Sequence, residues 1–549
     1  MIDGIKKSLL IFGAIFILQT CSAQEKKTFD VLIKNGTVYD GSGQKPFIAD
    51  IGINQDTIAY IGTLPNTQGK TEIDASGKAV SPGFINMLSW ADKSLLMDGK
   101  SLSDIKQGVT LEIFGEGWSP GPVKRNLSKP VDSLWTTLGG YLNWLTKKGV
   151  SPNVGSFIGH TTVRYYAMGY AKRKANADEL KKMEKLVEEA MQEGALGLGT
   201  SLIYPPASFS DTEELIALAK ITARYKGMYI THMRSESDFI FQALHETFTI
   251  AREANLPAEI YHLKINHERN WNKIDTVLYK IDSANRAGLK ITANMYPYAA
   301  SNTALTARLP DWVQEGGAKE MRKRLRNPAT RKKVLYEMRM GIPSKNSDPK
   351  DVMILGFRLD SLNQLYRGKR LDEVARLHGK DADETLLDLL VRDKSPGAAV
   401  YFLILENNMR KMLALPFVTF GSDGASMGNT KTFADWGTHP RAYGTFARVL
   451  GKYVREEKLF SLEEAIHRLS QLPASRLGIE KRGSLTIGNY ADVVVFDPNQ
   501  ISDKATFDNP RLYAEGVEYV WVNGTLVLKQ GEHTGALPGR AVYGKGKVK

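Results

Sequence analysis

Two apolar segments, each with a histidine at its end, frame one stretch of the sequence: Met228-Tyr-Ile-Thr-His232-Met-Arg and Ala258-Glu-Ile-Tyr-His262-Leu-Lys264. Residues 238–254, between them, form a helix-like segment. A strand, a helix and a second strand make a βαβ unit, whose strands are parallel neighbours. Both histidines then emerge at the carboxyl edge of the sheet, where α/β folds hold their functional side chains. Each histidine alone is more typical of a protein core, but the repeat at matching strand ends favours a shared metal ion.

Strand-like runs alternate with helical stretches through the middle of the chain, and the clearest helical stretches are residues 179–193 and 211–225. Eight such βα units predict a TIM (β/α)8 barrel in the α/β class. A doubly wound open sheet is the structural alternative, but it does not explain polar residues that converge from strands so far apart. The eight predicted strands are residues 79–88, 109–114, 154–159, 195–202, 228–232, 258–264, 289–298 and 418–423.

Short strands at both ends of the chain predict a second, smaller unit. Residues 24–80 and 483–549 would together form one β-sandwich, with the barrel over residues 81–482. The gap after the seventh strand is too long for a single crossover. It contains several prolines and basic helical stretches, which predicts an insertion at about residues 303–410 that could cover the barrel mouth.

The composition is that of a globular protein: 549 residues, 42% hydrophobic and 24% charged. Lys and Arg total 73 against 60 acidic residues, and this net charge of +13 suggests anionic surfaces or substrates. The basic residues are mostly scattered and do not alternate with aromatic residues, so we expect no nucleic-acid partner. The sequence carries no signal of an oligomeric state.

The N-terminus has the features of an export signal. Lys6 and Lys7 precede an apolar run at residues 9–18, followed by small residues, which predicts a signal peptide over residues 1–23. We therefore expect an exported protein, either periplasmic or lipid-anchored to a bacterial membrane. Cys21, the only cysteine, lies where a lipoprotein signal places its lipidated residue, although Thr20 fits that motif poorly. Cleavage after Ala23 without lipidation is the alternative.

Two carboxylates stand between glycines at the ends of predicted strands. Glu116 follows the second strand, and Asp423 follows the eighth in Gly421-Ser-Asp423-Gly424. Flanking glycines let a backbone bend closely around an ion, although a turn with an incidental Glu and an Asx-turn are the respective alternatives. One carboxylate and two imidazoles form an ordinary zinc ligand set with a position left for water. We therefore predict Glu116, His232 and His262 as ligands, and Asp423 as the catalytic residue that takes the water proton.

Other polar residues near the strand ends are candidates for substrate binding. Lys264 lies two residues beyond His262 on the same strand face and could bind a substrate carboxylate. Tyr204 and Tyr296 could donate hydrogen bonds to the substrate or its oxyanion, but tyrosines at such positions more often pack in a core. Two further histidines near the strand ends could support the site without binding the metal: His160 and His439.

A series of motifs matches one known family over residues 29–540. It includes Ile203-Tyr-Pro-Pro206, Thr231-His-Met-Arg-Ser235 and Gly421-Ser-Asp-Gly424. On these motifs the sequence resembles the D-aminoacylase family (N-acyl-D-amino-acid deacylases) of the amidohydrolase superfamily. Further matching stretches are residues 30–41, 73–77, 81–85, 107–110, 194–198, 262–264, 439–446, 489–498 and 531–535.

The resemblance implies a zinc-dependent hydrolase that removes the acyl group from a small-molecule N-acyl-D-amino acid. It implies the same barrel with a terminal β-sandwich. By motif match, His232 and His262 fall on zinc ligands and Asp423 on the catalytic acid/base. Lys264 and Tyr204 fall on contacts to the substrate carboxylate.

The sequence departs from the family pattern at the first barrel strand. The family usually has His-x-His there, and this chain has Leu88-Ser-Trp90, which cannot bind zinc. Many members also have a metal-binding cysteine where this chain has Glu116. We therefore expect one zinc ion, on Glu116, His232 and His262, with Trp90 in the vacated space. The alternatives are a cyclic-amide or dipeptide hydrolase, and an inactive relative that binds its ligand without turnover.

Overall fold

The computed structural model describes residues 27–63, 67–124, 134–340 and 347–548. The predicted signal peptide, with Cys21, lies outside these residues, so export and lipidation stay predictions. Within the described ranges, no helix combines the length and the apolar character that crossing a membrane requires.

Strands occur in three regions of the chain: near both ends, in the central barrel and in the insertion. Their bounds are β1 Lys27–Val38, β2 Phe47–Asn54, β3 Thr57–Gly62, β4 Thr67–Asp74, β5 Ala79–Pro82, β6 Phe84–Asn86, β7 Val109–Phe114, β8 Asn153–Ser156, β9 Ile158–Gly159, β10 Gly197–Ser201, β11 Met228–His232, β12 Ala258–Ile260, β13 Ile291–Met295, β14 Ser301–Ala304, β15 Val352–Gly356, β16 Ala398–Tyr401, β17 Val418–Phe420, β18 Val493–Phe496, β19 Val517–Val522, β20 Thr525–Lys529 and β21 Glu532–His533.

The helices lie between the barrel strands, in the insertion and after the last barrel strand. Their bounds are α1 Ser94–Met97, α2 Leu102–Ile105, α3 Leu138–Lys148, α4 His160–Met168, α5 Ala177–Gln192, α6 Thr212–Arg224, α7 Ile240–Ala254, α8 Ile274–Arg286, α9 Ala318–Arg326, α10 Pro328–Met340, α11 Asp360–Tyr366, α12 Leu371–His378, α13 Ala382–Asp393, α14 Glu406–Leu413, α15 Arg441–Arg448, α16 Leu462–Leu469 and α17 Gln471–Leu477, with a π-helix at Val449–Glu456.

Local sequence explains where the best-predicted helices begin and end. Asn176 caps α5 by accepting a hydrogen bond from the Glu179 amide, and the Glu179 carboxylate accepts one from the Asn176 amide. Asp211 caps α6 through its side chain, which accepts a hydrogen bond from the Glu214 amide. Asn255 ends α7 in the left-handed conformation. The predicted helices at residues 179–193, 211–225 and 238–254 therefore agree with the structure to within about two residues.

The predicted TIM (β/α)8 barrel is confirmed. Strands β9 to β13 and β17 pair in parallel in one sheet, and β6, β7 and β8 pair in parallel in another. β8 and β9 are two parts of the third barrel strand, interrupted at Phe157. Hydrogen bonds from Met87 N to Phe420 O (3.2 Å) and from Asp423 N to Leu88 O (2.8 Å) join the first strand to the eighth.

Several predicted strands are longer than the observed ones, including the first, the sixth and the eighth. The prediction at residues 79–88 is wrong as one strand, because it divides at Gly83 into β5 of the terminal sheet and β6 of the barrel. A Cβ at Gly83 would lie 2.0 Å from Thr110 Oγ1, so the chain passes too close there for a side chain. The predictions 258–264 and 418–423 also overrun, since β12 ends at Ile260 and β17 at Phe420.

Strands from both chain ends form one nine-stranded sheet in the order β21-β20-β19-β18-β5-β1-β2-β3, with β4 paired to β1. β18 joins the two chain ends because it pairs antiparallel with β5 on one side and with β19 on the other. Its hydrophobic core draws on both ends: Ile33 and Ile51 from the N-terminal part pack in one cluster with Val493 and Trp521. The long-range association of the two ends is thus present.

The insertion follows the seventh barrel strand, as predicted. It contains the antiparallel sheet β14-β16-β15 and the helices α9 to α13. Its own core includes Leu305, Ile354 and Leu386, so it packs as a unit. The chain returns to the barrel through α14, which leads into β17. Residues of β14 and β16 reach the barrel mouth, where they line the cavity described below.

Candidate active site

Glu116, His232 and His262 converge at the carboxyl edge of the barrel. His232 Nδ1 lies 2.8 Å and His262 Nε2 3.0 Å from the same oxygen, Glu116 Oε1. The two imidazole rings stand nearly perpendicular, with centroids 4.4 Å apart. All three side chains are buried, and in the described part of the chain they are the one group of three or more His, Cys, Asp or Glu residues placed to hold a metal ion.

Two glycines bring Glu116 into this position. Gly115 and Gly117 have φ values of +109° and +69°, a region that favours glycine. A Cβ at Gly115 would lie 2.4 Å from the Phe157 carbonyl oxygen, and one at Gly117 would lie 2.5 Å from Ser201 Cβ. The chain after β7 therefore turns close against the next two barrel strands, and this turn directs the Glu116 carboxylate towards the histidines.

The two histidines reach the site differently. His232 is the last residue of β11 and pairs in register with Ser201 of β10. His262 lies two residues beyond β12 with φ +36°, and its amide donates to the side-chain oxygen of Asn294 at 2.9 Å. The Asn294 side chain therefore replaces the lost strand pairing and holds the His262 backbone in a conformation that non-glycine residues rarely adopt.

A second buried carboxylate, Glu236, lies on the opposite side of both imidazoles. Its Oε1 lies 3.1 Å from His262 Nδ1 and 2.6 Å from Lys264 Nζ, and its Oε2 lies 3.5 Å from His232 Nε2. Lys264 Nζ also lies 2.7 Å from His262 Nδ1. A carboxylate behind a ligating histidine holds the proton on the far ring nitrogen and leaves the near one for the metal.

The sequence reasoning missed Glu236. It lies four residues beyond His232, directly after the matched motif Thr231-His-Met-Arg-Ser235, in the loop between β11 and α7. The available signal was an acidic residue close to a predicted ligand, and that signal alone does not separate a buried carboxylate from a solvated loop residue.

Burial and charge act against each other on these groups. Burial raises the pKa of Glu116, but His262 and His232 outweigh it and hold that pKa well below its usual range. The pKa of Glu236 is lowered in the same way by His232, Lys264 and His262. Burial lowers the pKa of His232, but Glu236 and Glu116 raise it to about 9. Both carboxylates are therefore ionised and able to hold a cation or protonated imidazoles.

Asp423 approaches the same site from the eighth barrel strand. It lies three residues beyond β17 with φ +48°, and its Oδ2 forms a 2.8 Å ion pair with an Arg441 terminal nitrogen. The Trp90 indole nitrogen donates to Asp423 Oδ1 and to Glu116 Oε2, each at 3.0 Å. Burial raises the pKa of Asp423, and Arg441 opposes this rise. Asp423 and the three converging residues thus form one connected arrangement.

Arg441 is the other functional candidate that the sequence reasoning left without a role. Its guanidinium is 2% exposed and lies over the Tyr296 ring, 4.5 Å from the centroid. Among the described residues, one of its terminal nitrogens has partners, whereas Nε and the other terminal nitrogen have none. A buried guanidinium with unpaired N–H groups at a cavity wall is suited to bind an anion.

Of the three predicted substrate residues, Lys264 and Tyr204 line the same cavity, and Tyr296 is fully buried beside Lys264. Lys264 is buried and paired with Glu236, with its nitrogen 5.9 Å from the centroid of the Tyr296 ring. The Tyr296 hydroxyl is buried and has no hydrogen-bond partner in the part of the chain that the structure describes. The Tyr204 hydroxyl lies 2.7 Å from Thr303 Oγ1 of the insertion, and its ring packs edge-on against His232.

The two supporting histidines differ in their surroundings. His160 begins α4, and its Nε2 lies 2.8 Å from Glu214, which also pairs with Arg164, so it belongs to a buried ion pair between helices. His439 lines the cavity. Its Nδ1 accepts from the Arg441 amide at 3.0 Å and its Nε2 lies 3.1 Å from the Ala300 carbonyl oxygen, which it reaches as a donor. Burial and Arg441 lower the pKa of His439 well below its usual value, so it is neutral.

The cavity that contains these groups has a volume of about 600 Å³. Barrel strand ends form its floor, and the insertion supplies a wall through β14 and β16. Trp118 and Trp436 add apolar surface at its sides. Such a space suits a small organic molecule held by a few convergent polar groups.

The fold and this arrangement define a class: a (β/α)8-barrel hydrolase whose buried His, His and Glu side chains can hold a metal ion beside a carboxylate. The sequence comparison agrees, because the amidohydrolase family model matches residues 71–528. The chain belongs to the amidohydrolase family.

The chain is 34% identical to a D-aminoacylase of Alcaligenes xylosoxydans xylosoxydans over 530 residues, which are 95% of this chain and 99% of that relative. A solved D-aminoacylase structure, which concerns the functional role of a binuclear metal centre with activation by one metal and attenuation by a second, is also similar. It matches with a TM-score of 0.79 at 32% identity, over 94% of this chain and all of that one (100%). The N-acyl-D-glutamate deacylase of Bordetella bronchiseptica, in complex with zinc and a phosphonate mimic of the tetrahedral intermediate, matches with a TM-score of 0.78 at 29% identity over 94% of this chain and 100% of that one.

The residues present suit a zinc ion. Two imidazole nitrogens point at one carboxylate oxygen, which is the donor set that zinc takes in hydrolases with three protein ligands. His232 Nε2 lies 3.5 Å from Glu236 Oε2, on the side away from Glu116, which leaves His232 Nδ1 to face the metal position. Glu236 supplies the supporting carboxylate.

Proposed function

We propose that this protein is a zinc-dependent deacylase that hydrolyses N-acyl-D-amino acids to a D-amino acid and a carboxylate. One observation carries the proposal: Glu116, His232 and His262 converge beside Asp423 in a cavity that also presents cationic groups. The D-aminoacylase and N-acyl-D-glutamate deacylase relatives, similar over nearly the whole chain, support the substrate class.

Glu116, His232 and His262 would hold the metal. A zinc ion bound there supplies a Lewis acid that activates water and polarises the amide carbonyl. Asp423 faces the same space and is positioned to take the proton of the attacking water and return it to the departing amine. Burial raises its pKa, which makes it a better base than an exposed aspartate. Arg441 and Trp90 hold its two oxygens, so the carboxylate does not need to reorganise during the reaction.

The substrate carboxylate needs a cationic partner away from the scissile bond. Arg441 offers two nitrogens, and Tyr296, whose ring packs against the guanidinium, offers a hydroxyl; none of these atoms has a hydrogen-bond partner among the described residues. Lys264 Nζ lies 5.9 Å from the centroid of the same ring. We propose that these groups bind the α-carboxylate, and that Tyr204, beside His232, contacts the substrate near the carbonyl.

The test uses protein without residues 1–23. Zinc content is measured first, and turnover is then assayed on N-acetyl-D-amino acids, their L enantiomers, a cyclic amide and a dipeptide. We expect zinc binding and D-selective deacylation. Asp423→Asn should lower kcat by about 10²- to 10⁴-fold, which is the usual range for a general acid–base, and retain its zinc.

Each other outcome separates the alternatives. Turnover on the cyclic amide or the dipeptide alone would assign the protein to another branch of the family. Zinc binding without turnover on any amide would support an inactive relative that binds its ligand. Protein that binds no zinc would contradict the proposed metal site.

A further inference from the structure

Trp90 occupies the space between two buried carboxylates of the active site. Its indole nitrogen lies 3.0 Å from Glu116 Oε2 and 3.0 Å from Asp423 Oδ1, so one N–H serves both. Two buried carboxylates close to one N–H group repel each other strongly, because burial weakens the screening by water. A positive or partly positive group between them lowers that repulsion. A second metal ion at this position would have to use the same carboxylate oxygens, whereas the group that contacts both of them here is a neutral N–H.

The backbone holds Trp90 firmly in this position. Its amide donates to the Gly424 carbonyl oxygen at 2.9 Å, and Ser89 and Gly424 form a parallel β-bridge across the junction of the first and eighth barrel strands. Leu88 is the other residue that stands where the resembled family has His-x-His, and it is 1% exposed and packs against Gly421. An indole N–H donates only and cannot coordinate a metal, so neither side chain offers a ligand.

We propose that the Trp90 N–H takes the place of a second metal ion, holding Glu116 and Asp423 in position and keeping the site mononuclear in excess zinc. This inference rests on the proposed function and adds how the site is regulated. The related D-aminoacylase is described as activated by one metal and attenuated by a second. Because Trp90 engages the Glu116 and Asp423 oxygens that a second ion would need, this protein escapes that attenuation.

Zinc counting tests the proposal without any need for turnover. Metal-free protein is dialysed against rising zinc, and bound zinc is measured by plasma mass spectrometry, with His232→Asn giving the background from surface sites. Above that background we expect one zinc per chain, with no second ion at roughly thousandfold excess over the first dissociation constant. The double variant Leu88→His with Trp90→His should bind a second ion. Two zinc ions in the unaltered protein would overturn the proposal.

Trp90→Phe separates the N–H from the bulk of the ring. Phenylalanine fills much of the same space but cannot donate to Glu116 or Asp423. We expect this variant to bind one zinc about 10- to 100-fold more weakly, since that is the usual effect of losing a hydrogen bond to a ligand. Zinc affinity equal to that of the unaltered protein would refute the positioning role of the N–H.

Kinetics then test the consequence for regulation. The kcat of the unaltered protein should stay constant as zinc is raised beyond saturation, while that of the double histidine variant should fall. Attenuation of the unaltered protein by excess zinc would overturn the inference. If no N-acyl-D-amino acid is hydrolysed, the proposed function fails, and the zinc counts still decide whether the site is mononuclear.

Discussion

Replacing Glu236 with glutamine tests how the buried charges of the site stabilise one another. Glu236 is 4% exposed, and its partner Lys264, 2.6 Å away, is 3% exposed. Glu236→Gln keeps the shape but removes the charge that faces Lys264 and both histidines. Breaking a buried ion pair by removing one partner costs about 3–5 kcal/mol, because the remaining charge stays buried. We expect the free energy of unfolding of the metal-free protein to fall by that amount.

The same substitution should weaken zinc binding. Without Glu236, no carboxylate of the described ion pairs faces His262 Nδ1, and the Lys264 charge lies beside this predicted ligand without compensation. A 10- to 100-fold loss of zinc affinity is typical for such a change. At saturating zinc, the stabilisation that the metal adds should therefore shrink by about 1.4–2.7 kcal/mol in the variant, which is RT ln of that loss.

Urea denaturation with and without zinc measures both effects, and Glu246→Gln is the matched control. Glu246 pairs with Arg234 at 3.0 Å, but the Arg234 side chain is 31% exposed. A partly solvated pair contributes about 0–1 kcal/mol, and Glu246 has no contact with the histidines among the described ion pairs. If Glu236→Gln destabilised the protein no more than Glu246→Gln, the compensation argument for the site would be refuted.

Two further substitutions follow from the contacts. Arg441→Gln should lower kcat/KM for N-acyl-D-amino acids by at least about tenfold, the usual effect of losing a hydrogen bond to a charged group. An equal loss in steady-state kinetics with carboxamide-capped substrates would contradict carboxylate binding. Burial raises the pKa of Glu214, but His160 and Arg164 outweigh burial and lower that pKa. The ionised Glu214 carboxylate therefore stabilises the fold above its unfolded pKa near 4.3. This stabilisation is lost as the pH falls below that value. Glu214→Gln should therefore flatten the acid limb of a stability–pH profile from urea midpoints, and an unchanged limb would contradict this.

The sequence predicted the barrel because its evidence is local and repeated. Residues 228–264 contain one complete βαβ unit, and the rule that such strands are parallel neighbours places His232 and His262 at the same edge. The structure has this unit as β11, α7 and β12, with the two histidine rings 4.4 Å apart between centroids. The glycines around Glu116 were equally informative, since both have positive φ.

The sequence could not predict the partners that come from irregular segments. Arg441 lies 18 residues beyond Asp423 in the chain, and no local pattern fixes the path of the loop between them. Glu236 follows a predicted ligand, but its burial depends on how the loop after β11 folds over Lys264. Trp90 was predicted to fill space, whereas its hydrogen bonds to two carboxylates depend on the junction between the first and eighth strands.

The overrun of two strand predictions has a physical cause in the site itself. Residues 258–264 and 418–423 continue the strand pattern, but the backbone leaves the strand at His262 and Asp423 with φ values of +36° and +48°. Each such non-glycine conformation costs about 1–3 kcal/mol, and hydrogen bonds from the His262 amide to Asn294 and from the Asp423 amide to Leu88 hold them. In a regular strand, successive side chains point to opposite faces. The turns instead direct His262 and Asp423 towards Glu116, so the local rule fails where a predicted metal ligand and the predicted acid/base lie.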